Sequence, residues 1–79
     1  MESEKIEALF EELAKGQRGR LMEMGTKKVP HFTEDDLLQP CDYPELENSP
    51  HFRYEEGVLE GILMARAALL ALHHDLSTD

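Results

Sequence analysis

Apolar positions recur at helical spacing along two long stretches of this chain. Over residues 3–26, Ile6, Leu9, Phe10, Leu13, Leu21 and Met24 follow a three-to-four-residue rhythm, which predicts a first helix. Ser3 is the expected N-cap, with Glu2 and Glu4 near the positive end of the helix dipole. The stripe lapses at Gly16-Gln17-Arg18-Gly19-Arg20, where two glycines predict a kink or a break, and Gly25 reads as the C-terminal stop ahead of Lys27 and Lys28. The second stretch, residues 50–76, is announced by Ser49 as N-cap and Pro50 at the first helical position. From Val58 to Leu72 it is apolar except for Glu60 and Arg66.

Between the helices, residues 27–49 form a connector containing Pro30, Pro40 and Pro44, with Pro50 just beyond it. Proline lacks an amide donor and restrains its predecessor, so no long helix or central strand crosses this segment. Thr33 with Glu34, Asp35 and Asp36 predicts one capped turn that brings Leu37 and Leu38 inward, and Tyr43-Pro44-Glu45-Leu46 a second. Phe32, Leu37, Leu38, Tyr43 and Leu46 are spaced to pin the connector onto the helices. The expected fold is all-α: one domain over residues 1–79, a hairpin of two long helices whose proline-rich connector carries short helical turns.

Two stripes run along the second helix. One is bulky: Leu59, Ile62, Leu63, Leu69, Leu70 and Leu72, with Val58 beside them. The other is small: Gly57, Gly61, Ala65 and Ala68, continuing to Leu72. A helix apolar around much of its circumference must be covered on more than one side, and one interrupted partner helix cannot do that. The pattern therefore predicts that two hairpins dimerise into a four-helix bundle, with Gly57, Leu59, Gly61, Ile62, Ala65, Arg66, Ala68, Leu69 and Leu72 at the interface. The run is fifteen residues with two charges inside it, against about 20 apolar residues for a membrane span.

Length sharpens the same expectation. A chain of 79 residues buries only about 60% of the surface its unfolded form exposes, so small domains commonly add disulfides, a metal or another subunit. Cys41 is the single cysteine, which excludes an intrachain disulfide and fits a reducing compartment; no role is assigned to it. The first residues lack the basic and apolar regions of a secretory signal, which adds to the expectation of a cytoplasmic protein.

The net charge of −9 is uneven. Residues 1–28 hold six acids and six bases, residues 29–60 nine acids and one base, and residues 61–79 two acids and one base. An acidic field of this kind repels phosphate backbones and anionic headgroups, so nucleic acid and membrane are not expected partners. A basic protein facing Asp42, Glu45 and Glu47 is. Lys15, Arg18, Arg20, Lys27 and Lys28 lack the setting of a phosphate loop and read as a solvated patch.

Catalytic chemistry has little to stand on. No Glu-x-x-His pair of the di-iron type occurs among Glu55, Glu56 and Glu60, and adjacent His73 and His74 point about 100° apart on a helix. Glu56 and Glu60 are one turn apart, and His73 would have to join them from a second chain to complete a metal site. Arg66 interrupts the apolar run: either its stem lies along apolar surface with its head in water, or it pairs with an acid such as Glu60 of a neighbouring chain or Glu12 of the first helix. Pro-His-Phe occurs at residues 30–32 and again at 50–52, a match short enough to arise by chance. No cofactor and no catalytic residue is expected. The leading expectation is a non-enzymatic interaction module; the alternative is a small enzyme or a metal- or anion-binding subunit with Glu56, Glu60, Arg66 and His73 at the dimer interface.

Overall fold

The structure, a computed structural model, describes residues 3–39 and 42–77. Pro40 and Cys41 lie outside the described residues, as does Glu2. All regular structure among the described residues is helical: α1 spans Ser3–Lys28, a 3-10 turn spans Asp36–Leu38, α2 spans Pro44–Glu47 and α3 spans Pro50–Ser77. α1 and α3 pack along each other as an antiparallel hairpin, and the connector with α2 closes one end. The whole measures 49 × 19 × 17 Å.

α3 starts where its cap chemistry dictates. The Phe52 backbone N–H donates to Ser49 Oγ at 3.3 Å, and Pro50 occupies the first helical position, where no amide partner is needed. The Thr33 turn is closed reciprocally: Asp36 N donates to Thr33 Oγ1 at 3.2 Å, and Thr33 N to Asp36 Oδ2 at 3.0 Å. The second bond, from a backbone amide, holds the Asp36 carboxyl below its ordinary range. A single 3-10 turn can direct only one of two adjacent leucines inward. Leu37 packs against the core, and Leu38, expected beside it, stands 79% exposed.

α1 departs from expectation twice. It runs unbroken through Gly16 and Gly19, so of the expected kink or break there is no break. Nor does it stop at Gly25, which lies buried inside the helix; α1 continues to Lys28, and Pro30 follows. The Phe32 ring explains Gly25. A Cβ built there would sit 2.5 Å from Phe32 Cδ2, so the residue is a floor for an aromatic ring rather than a turn.

The core gathers at the connector end. Leu21, Val29, Phe32, Leu46 and Phe52 are buried together, with Met24, Leu37, Tyr43 and Leu59 packed around them. Phe32 meets Tyr43 and Phe52 edge to face, with ring centroids at 5.5 and 6.4 Å. The aromatics of the two Pro-His-Phe segments thus touch in the core, while His31 and His51 face outward. At the other end the picture reverses. Beyond Glu55 no described side chain of α3 is buried, and before Leu21 only Ala14 of α1 is.

Candidate functional site

The seam between α1 and α3 is fixed by two polar clamps. Near the connector end, Glu55 is buried at 6% exposure, although it lies on a helix start where a solvated carboxylate would be ordinary. Gln17 reaches across from α1, its Nε2 donating to Glu55 Oε1 at 2.8 Å and to the Glu55 carbonyl at 2.9 Å. Arg20 Nε lies 3.1 Å from the same carboxylate oxygen, and His51 Nε2 lies 3.8 Å from the other. The Gln17 hydrogen bond, opposed by partial burial and aided by Arg20, holds the Glu55 carboxyl below its ordinary range. Sequence reasoning passed over Glu55. The only signal for it was that Gln17 and Arg20 sit one turn apart in a segment otherwise notable for glycine.

The second clamp is Arg66. Its Nη2 lies 3.4 Å from Glu7 Oε1 and 3.6 Å from Glu11 Oε1. These two, and not Glu12, are the α1 acids that Arg66 meets. Glu7 and Glu11 are one turn apart and share the flank that faces α3, whereas Glu12 lies 100° further round. Arg66 Nε is buried and makes no hydrogen bond.

The expected interface residues separate into two sets. Leu59, Ile62, Arg66 and Leu69 are half-buried toward α1. Gly57, Gly61, Ala65, Ala68 and Leu72 are exposed, and nothing lies within 4 Å of a Cβ built on Gly57 or Gly61. Met64 and Leu76 are also exposed, at 73% and 74%, and so are Leu9 and Leu13 of α1. The small row therefore does not serve the intrachain helix pair.

The polar candidates scatter. Asp42, Glu45 and Glu47 are exposed on the connector. Glu56 is half-buried beside Arg53 at 3.5 Å; desolvation, with Glu60 one turn on, raises its pKa above the ordinary glutamate value. His73 is far along α3, at a cleft of about 200 Å³ between the free helix ends. Ile6, Phe10, Leu69, Leu70, Leu72 and Leu76 line that cleft together with Glu7 and Arg66. Among the described residues, no three His, Cys, Asp or Glu side chains converge as metal ligands.

α3 is also long and apolar enough, over Pro50–Leu76, to cross a membrane by length and composition alone. In the hairpin it lies against α1, which carries Glu4, Lys5, Glu7, Glu11, Glu12 and Lys15 along the same level.

Neither family models, nor curated proteins, nor solved structures give a match to this chain.

Proposed function

We propose that this chain is a self-associating helical hairpin: a cytoplasmic, non-enzymatic interaction module that works as a homodimer and offers its acidic connector to a basic protein. The observation that carries the reading is the absence of any buried described side chain in α3 beyond Glu55, on a helix whose residues 58–72 are apolar except for Glu60 and Arg66. Contiguous apolar surface of this extent is rare on monomers and marks an interaction site. Insertion of α3 into lipid is the poorer use of that surface, because the paired α1 would carry its charges into the hydrocarbon at several kcal/mol each. The exposed Asp42, Glu45 and Glu47 support a cationic partner through complementarity and steering.

Sedimentation at micromolar concentration tests the reading directly. The expected mass is twice the 9.0 kDa of one chain, and Gly61→Leu is expected to weaken association by at least about tenfold through loss of close helix approach. A wild-type mass of one chain at high micromolar concentration would overturn it.

One observation favours a second reading, a ligand-binding subunit. Arg66 and His73 reach the same apolar cleft, although Glu56 and Glu60 lie elsewhere on α3. Metal analysis of the purified protein and calorimetry with small anions separate the two: stoichiometric metal or a saturable anion isotherm lost in Arg66→Met would favour the second.

A further inference from the structure

The hairpin has two broad faces, one on either side of the α1–α3 seam, and they differ in chemistry. Seam positions on α1 include Phe10, Ala14 and Gln17; on α3 they include Ile62, Arg66 and Leu69. One residue further along from the α1 positions come Glu11, Lys15 and Arg18, and one after Ile62 comes Leu63. Those four line a single shallow groove together with Ala14 and Arg66, so the following-residue flanks of both helices share one face. That is the geometry of antiparallel helices of one hand. The preceding-residue flanks must then share the opposite face. There α1 presents Leu9 and Leu13, at 57% and 47% exposure, and α3 presents Gly61, Ala65, Ala68 and Leu72.

This second face carries bulk on one helix and a shallow, small-residue surface on the other. A two-fold axis brings the α1 side of one copy against the α3 side of its mate, and the converse contact follows by symmetry. Residues 58–76 of α3 span about 28 Å; α1, which starts at Ser3, runs beside about 21 Å of that length, so with helices about 10 Å wide the face projects roughly 500 Å². That is a little under the roughly 600 Å² per partner at the lower bound of stable interfaces. The opposite face, with Glu11, Lys15 and Arg18, would have to desolvate charges to do the same.

Building on the self-association proposed above, we infer that the dimer forms through this Leu9–Leu13 face, with α1 of each copy seated on the Gly61–Ala65 surface of a second copy. α1 is thus half of the interface, and the apolar stripe of α3 alone is not sufficient.

The test compares two double variants by sedimentation equilibrium, with circular dichroism to monitor helix content. Leu9→Gln with Leu13→Gln removes the α1 bulk at positions already open to solvent in a single chain, and is expected to weaken association at least about a hundredfold with helicity retained at high concentration. Lys15→Gln with Arg18→Gln, on the other face, is expected to leave the dissociation constant within about threefold, well under 1.4 kcal/mol. If the leucine variant dimerises like wild type while Gly61→Leu does not, the α1 contribution is refuted and self-association stands. If the charge-face variant is the one that dissociates, the face assignment is refuted. A monomeric wild type removes the underlying association itself, and this inference with it.

Discussion

The glycines of α1 stand in two different settings. Gly25 floors the Phe32 ring, so Gly25→Ala is expected to destabilise the fold by about 1–3 kcal/mol through overpacking, less the propensity gained by alanine in a helix. Gly16 and Gly19 stand in open space on the same helix, and alanine at each is expected to stabilise by up to about 1 kcal/mol. Urea denaturation of the three variants at one protein concentration checks both signs, and a stabilising Gly25→Ala would remove the floor argument. Glu55, like Asp36, contributes to the acid response. Its folded pKa is depressed, so its contribution is complete above the ordinary glutamate value of 4.5 and is lost as pH falls through the lower folded value. Thermal melts from pH 6 downward are therefore expected to fall steeply below pH 4.5 in wild type and less so in Glu55→Gln; parallel curves would contradict the clamp.

At the level of elements, what could be read from residue order was whatever chemistry closes within four residues. The Ser49 cap, Pro50 and the Thr33–Asp36 box are local hydrogen-bond arrangements, and the starts of α3 and the connector turn lie where they place them. The end of α1 was not legible that way, because Gly25 answers to a ring seven residues ahead rather than to its neighbours. The partner of Arg66 was hidden for a related reason. It depends on the register between α1 and α3, which the core around Leu21 and Phe52 sets at the far end. The two stripes of α3 were visible from spacing alone, and the bulky one is half-buried except at Leu72, which stands 54% exposed. Leu9 and Leu13 were read as ordinary members of the α1 stripe, yet they stand on its rim, since only the 3.6-residue drift against α3 decides which leucines meet the partner helix.

Across the whole molecule, burial is graded from one end to the other. Amide exchange at low micromolar concentration is expected to be slowest around Leu21 and Phe52 and progressively faster from Ala65 toward Leu76, since opening free energy follows buried contact density. Raising the concentration is expected to slow exchange selectively in residues 61–76 through mass action on the dimer. Concentration-independent protection along α3 would count against any covering by a second chain.

The Phe32–Gly25 contact has one more consequence. By seating the connector against α1 within a few residues of the helix end, it makes the return of the chain a short-range event, with little loop entropy to lose before Phe52 can dock. The clasp is therefore expected to close before the two arms order, and on the proposed self-association the order of those arms would rise with the number of other copies within reach.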